Sequence, residues 1–317
     1  MILAALWLVG AIAGYVYAHQ QHIPAETAMR VLPAFLLEVT FFYVLGSEKL
    51  RARIEKWPPA VIALALLAAA MAPYAEATMA LGVFQPIQAL KLAGLAAAIS
   101  LWYVLLPHRV PVDLLFLVML AGVMLGHVLP QIYPNPVPKL QLPVLGQLML
   151  IRTGAMAMLC IRRVSGVGFG FWPTRRDWQI GAAYYLGFLA IAVGVAWWIG
   201  FAKPQIPHGW ERTTLYAIGT FFGILWVVAL GEEFFFRGLL QQWMSRWFSS
   251  EIAGLIVTAI LFGSVHLWFR SFPNWRFAIM AGLAGIFYGL AFRQARSIRA
   301  SMVAHALVVT TWRVFFS

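Results

Sequence analysis

The chain has 317 residues, 62% of them hydrophobic and 11% charged, and carries a net charge of +12. Soluble domains carry about 25% charged residues, so an ordinary soluble globule is excluded. Apolar runs of about 20 residues recur along the chain, as in a polytopic α-helical membrane protein, and the ~10-residue alternating segments of an outer-membrane barrel do not occur.

In chain order the apolar runs predict an all-α fold of about eleven transmembrane helices, over 1–18, 27–46, 59–81, 86–106, 111–132, 144–161, 179–201, 214–246, 252–269, 277–292 and 300–316. The N-terminus lacks the basic region of a signal peptide, so the first run reads as a span. The Pro-rich stretch 133–143 cannot continue a helix and marks a boundary between an N-terminal extension, 1–132, and a six-helix region, 144–317. The linker 162–178 carries four arginines and a Gly-Val-Gly-Phe-Gly string, and reads as a cytoplasmic loop.

Basic residues lie at segment ends, where they orient helices and meet lipid head groups; no nucleic acid partner is expected. Lys49, Arg51, Arg53, Lys56, Arg109, Arg162, Arg163, Arg175, Arg176, Arg246, Arg293, Arg296 and Arg299 fall on one side. The other side holds Lys139, Lys203, Arg212, Arg270 and Arg276. That bias places the N-terminus in the cytoplasm. With the single cysteine, Cys160, it points to a prokaryotic inner (cell) membrane. Cys160 itself reads as a buried, inert thiol, and tryptophans near segment ends (Trp172, Trp178, Trp197, Trp198, Trp210, Trp243, Trp247) read as interfacial belts. Glu38 and Arg152 fall inside spans and are expected to pair across helices, and His127 to be a helix-packing polar group.

Three strings carry chemistry: Glu232-Glu233-Phe-Phe-Phe-Arg237, Phe262-Gly-Ser-Val-His266, and His305 in the last span. Ionisable groups inside a bilayer are expensive and mark function by default. The first string sits in a run too long for one perpendicular crossing, with Gly231 a weak point for a bend. Glu233 and Arg237 are spaced i, i+4 and share a helix face, whereas Glu232 points about 100° away. One carboxylate is thus free to be neutralised while the other faces a cavity. Two acids against one arginine leave a buried charge uncompensated. Glu232 and His266 lie at similar depths, roughly 20 Å from the inner side, where they can share a water that the carboxylate deprotonates and the imidazole orients. His305 lies shallower in its span, and beside a tetrahedral intermediate it can donate to the oxyanion.

The order and spacing of the three strings resemble the CPBP intramembrane protease family, which includes the type II CAAX prenyl proteases and the bacteriocin-processing and immunity proteins. The resemblance covers roughly 215–315. It implies glutamate-type hydrolysis of a peptide bond in a membrane-associated protein or peptide, with the lipid bilayer as surroundings. By resemblance Glu232 and His266 activate the water, Glu233 and Arg237 support them, Phe262 matches the aromatic position of the second motif, and His305 stands on the oxyanion side. The family's last motif usually reads His-x-x-x-Asn or Asp; here the fourth position after His305 is Val309, and the only asparagines are Asn135 and Asn274. Thr310 and Thr311 are the substitute hydroxyl donors near that position.

The pattern reads as acid–base catalysis with no metal and no other cofactor, since neither histidine belongs to a local His-Glu-x-x-His string; a divalent metal held by the acids and histidines is the alternative. A catalytically inactive relative acting as an immunity or scaffold protein, or a transporter using Glu232, Glu233 and Arg237 as a relay, are the competing functions.

Overall fold

The computed structural model describes residues 2–201, 203, 205 and 209–316. Met1, at the head of the first expected span, and Ser317 lie outside the described residues. The regular elements are helices: α1 (Ile2–Gln20), α2 (Ala25–Gly46), α3 (Glu48–Ile54), α4 (Pro59–Ala80), α5 (Pro86–Leu105), α6 (Val110–Leu125), α7 (Val128–Ile132), α8 (Pro143–Ile161), α9 (Arg175–Trp198), α10 (Trp210–Trp247), α11 (Glu251–Trp268), α12 (Trp275–Ala295) and α13 (Ile298–Phe315).

Each expected span meets a helix. Nine of them, α1, α2, α4, α5 and α8 to α12, are long and apolar enough to cross a membrane. The run 111–132 splits because His127 adopts a left-handed backbone, φ 52°, which ends α6 at 16 residues and starts the short α7. Histidine is enriched among non-glycine residues that tolerate this conformation. His127 is exposed, so it does not pack helices together as expected from sequence. Helix α13 falls outside the nine because Arg299, His305, Thr310, Thr311 and Arg313 dilute its apolar content.

Backbone contacts divide the chain into two compact units, Met1–Val164 and Ser165–Ser317. In the first unit, α8 is the most buried of the apolar helices. Arg152 on α8 makes a forked ion pair with Glu38 on α2, 3.1 Å to each oxygen, and also donates to the Ala69 carbonyl of α4. Both charges are almost fully buried, and the fork matches guanidinium to carboxylate geometry. This is the pairing expected from the two intramembrane charges. Asp113 at the start of α6 receives a second fork, from Arg162 at 2.9 Å on both arms. Cys160 is buried beside Met156, as expected.

In the second unit, helix ends are fixed by polar caps. Thr174 and Asp177 form a reciprocal capping box at α9. Ser250, Asn274 and Ser297 accept backbone N–H groups at the starts of α11, α12 and α13. Such caps are worth about 1 kcal/mol each. The glycine-rich linker is no free loop. The Val167 carbonyl accepts from Ile298 N–H at 2.9 Å and the Gly168 carbonyl from the Ser297 hydroxyl at 3.2 Å. Gly168 has φ +60°, and a Cβ there would stand 2.6 Å from Ser297 Cα. The linker therefore pins the head of α13, seven residues before His305. Trp172, Trp197, Trp198, Trp210 and Trp247 are exposed, but Trp243 is buried rather than part of a belt, because α10 turns that face onto α11.

Candidate active site

Helix α10 runs unbroken for 38 residues, about 55 Å at 1.5 Å per residue. It continues through Gly231 and changes pitch on either side of the acidic pair. Ile224–Ala229 and Phe234–Gln241 are π-helical, and one α turn, Leu230–Glu233, lies between them. Widened turns of this kind concentrate at functional sites, because they turn side chains off the α-helical period.

Glu233 is fully buried, and its Oε1 accepts from two donors: Arg237 Nη1 at 3.2 Å and His305 Nδ1 at 2.7 Å. Arg237 is equally buried. Its second arm donates to the Gly285 carbonyl on α12 at 3.2 Å, and its plane lies 4.4 Å from the Phe262 ring and 5.2 Å from the Tyr288 ring. One turn further along α10, Gln241 donates to the Gly289 carbonyl at 3.2 Å. Glu233, Arg237 and Gln241 thus form a ladder at i, i+4, i+8. It ties α10 to α13 once and to α12 twice.

Glu232 differs from its neighbour. Its side chain is 35% exposed where that of Glu233 has no exposure, although Oε2 of each acid is buried with no hydrogen-bond partner. His305 Nε2 lies 3.9 Å from Glu232 Oε2. With Nδ1–H donated to Glu233, Nε2 is the imidazole atom left facing Glu232. The sequence places Glu232 beside His266; among the described residues no ion pair joins them, and His305 is the imidazole within reach. Helix α13, its head pinned by the linker, brings His305 to the acids, an approach that depth counting alone does not reveal.

His266 caps the α-helical part of α11, Glu251–Val265, and opens the single 3₁₀ turn that ends it, His266–Trp268. Its Nδ1 lies 2.7 Å from the Phe262 carbonyl, one helical turn back. A carbonyl only accepts, so Nδ1 carries the proton and Nε2 keeps its lone pair for a partner. The segment after it is held by Asn274, which caps α12 and donates to the Phe269 carbonyl, and by Phe277, whose ring meets His266 at 5.1 Å.

Phe262 joins the two imidazoles. It is buried, with ring centroids 4.7 Å from His266 and 6.0 Å from His305, the second nearly perpendicular at 85°. Tyr288 on α12, which the sequence motifs do not include, stacks on His305 at 4.7 Å with an interplanar angle of 13°. The signal available for it is a tyrosine flanked by Gly285 and Gly289 at helical spacing, on a face where small residues permit close approach. Close approach also explains Gly263. A Cβ there would stand 2.6 Å from the Ala278 carbonyl, so α11 and α12 touch backbone to backbone next to His266.

Of the substitute donors, Thr311 is engaged with the Tyr185 hydroxyl at 2.7 Å, whereas the Thr310 hydroxyl is buried without a partner. The two acids and one guanidinium leave one negative charge at the cluster. Among the described residues, no three or more His, Cys, Asp and Glu side chains converge to hold a metal ion.

Residues 214–311 match the Rce1-like family model, described as type II CAAX prenyl endopeptidase Rce1-like. The match starts in α10 and ends in α13, so it takes in all three strings, and it bears out over that stretch the family read from them. With the nine helices among the described residues that are long and apolar enough to cross a membrane, it makes the chain an integral membrane protein with an Rce1-like C-terminal segment. Comparison with curated proteins and with solved structures returned no match.

Proposed function

We propose that this chain, through its Rce1-like segment, is an intramembrane endopeptidase. It cleaves a peptide bond of a membrane-associated protein or peptide by attack of water activated by Glu232 and His266. The observation that carries the reading is the division of labour between adjacent acids. Glu233 has no exposed surface and its Oε1 is held by Arg237 and His305, with Oε2 left unpartnered, while Glu232 keeps an exposed flank beside its own buried, unpartnered Oε2. A base must reach solvent and substrate, and its neighbour must be neutralised if both acids are to stay in an apolar site.

In this reading Glu232 takes a proton from water, and His266 Nε2 accepts the second water hydrogen to orient the attacking lone pair. The tetrahedral oxyanion then faces His305 and the Thr310 hydroxyl. Glu232 returns the proton to the leaving amine. Glu233 and Arg237 remain a fixed counter-ion pair. The reaction needs no metal or other cofactor. The N-terminus is cytoplasmic, the membrane is a prokaryotic inner membrane, and the N-terminal extension, residues 1–132, is accessory to the catalytic segment. A prenylated substrate is the class named by the matching family model.

Val309 favours one second reading, an inactive relative that works as an immunity or scaffold protein, because an oxyanion donor is worth about 10²–10³ in rate. Purified protein in liposomes, given quenched peptides with and without a C-terminal prenyl group, separates the two. Cleavage by wild type that is lost in both Glu232→Gln and His266→Ala supports the protease. Full cleavage by both variants rejects these catalytic assignments, and an inert wild type favours the second reading.

A further inference from the structure

We infer that Tyr288 is a positioning residue for His305, fixing the plane of its imidazole so that Nε2 faces Glu232. One hydrogen bond, Nδ1 to Glu233 Oε1 at 2.7 Å, fixes a single point of the ring and leaves it free to turn about that contact. The Tyr288 ring removes that freedom. It lies nearly parallel to the imidazole, 13° between planes and 4.7 Å between centroids. Phe262 meets the same imidazole edge-on, at 85° and 6.0 Å. One parallel face and one perpendicular ring define the orientation.

Tyr288 can serve as a reference surface because its own place is fixed. It is 2% exposed. The Arg237 guanidinium lies 5.2 Å from its centroid, and the Phe262 ring stands at 73° to it. The backbone on both sides is gripped from α10: Arg237 donates to Gly285 and Gln241 to Gly289, three residues before and one after Tyr288. Those donors belong to the i, i+4, i+8 ladder that begins at Glu233. The helix that places the acid thus also places the ring that orients the acid's histidine. The outcome is the 3.9 Å approach of Nε2 to Glu232 Oε2. Nothing here needs the phenol hydroxyl; the ring face suffices.

The inference deepens the hydrolytic reading and rests on it for its rate readout, so the test pairs that rate with an observable that needs no substrate. Protein labelled with ¹⁵N-histidine is placed in nanodiscs, and the His305 ring nitrogens are assigned by their loss in His305→Gln. Tyr288→Phe keeps the ring and is expected to leave the His305 resonances in place, with kcat within about twofold of wild type. Tyr288→Met removes the ring face and leaves a flexible apolar side chain that fills part of its space. It is expected to broaden or average the two nitrogen signals and to lower kcat roughly three- to tenfold at unchanged KM, the range that aromatic pairs contribute. Unaltered His305 signals in Tyr288→Met overturn the inference, and so does a Tyr288→Phe variant as damaged as Tyr288→Met. If gel filtration and circular dichroism show Tyr288→Met to be unfolded, Tyr288→Leu is read by the same criteria. A wild type that cleaves nothing removes the protease reading alone, and the nitrogen spectra still decide the role of Tyr288.

Discussion

Replacing Arg237 by Met removes the one guanidinium in the acidic cluster. Glu233 then keeps a hydrogen bond from His305 but loses its fixed counter-ion in a site with no exposure on either side chain. Breaking a buried pair from one side costs about 3–5 kcal/mol, because the remaining charge stays desolvated. His305 still satisfies one oxygen, which puts the expected loss near the lower end, about 3 kcal/mol. The bonds to the Gly285 carbonyl and the contacts with Phe262 and Tyr288 go as well, so α12 loosens from α10. The assay is equilibrium unfolding of the purified protein in mixed micelles, followed by tryptophan fluorescence. The control is Glu233→Gln with Arg237→Met. With no charge left to strand, the double variant should recover at least half of the loss, a coupling of about 1.5 kcal/mol or more in the cycle. A single-variant cost under about 1 kcal/mol, or costs that simply add, would refute the claim that the pair exists to neutralise Glu233.

The other consequences are narrower. Gly263→Ala places a methyl against the Ala278 carbonyl, at a 2.6 Å approach that backbone cannot relieve cheaply; unfolding should report a loss of about 1–3 kcal/mol, and kcat should fall with it because His266 ends the displaced helix. Val309→Asn restores an amide one turn after His305 on the same face; the account expects kcat/KM in the liposome assay to rise by roughly 10²-fold, the worth of one oxyanion donor, and an unchanged value would show that Thr310 or another group already fills that role. Glu251 bridges Arg293 and Arg296 at half-exposed positions; Glu251→Gln should cost under about 1 kcal/mol, since solvent and salt screen such pairs, and a loss comparable to that of Arg237→Met would show that burial does not set the scale here.

Much of this arrangement was legible in the chain. Apolar run length placed a helix at every expected span, because twenty apolar residues have few alternatives to a buried helix. The Glu38–Arg152 pairing followed from two opposite charges in a medium that tolerates neither alone. The i, i+4 spacing of Glu233 and Arg237 foretold their contact and singled out Glu232 as the acid on another face. Partners between distant helices were less legible. Depth counting points to His266 as the imidazole that shares a water with Glu232, and gives no sign that the linker over 165–173 clamps the head of α13 and brings His305 Nε2 to 3.9 Å from Glu232 Oε2. The π-helical turns flanking the acids follow from tertiary packing and leave no mark in hydrophobic periodicity. His127 was misread for a related reason: an apolar run conceals a one-residue left-handed break. Tyr288 was missed because stacking on an imidazole depends on which face of α12 meets α13, which neither composition nor spacing encodes.

The central claim is that Glu232 drives peptide hydrolysis in the membrane. The direct measurement is terminal-peptide proteomics on membranes from host cells carrying wild type or Glu232→Gln at equal, folded abundance. The account predicts new protein termini that appear with wild type and vanish with Glu232→Gln, and those termini identify the substrate. Identical termini in the two membranes would contradict it.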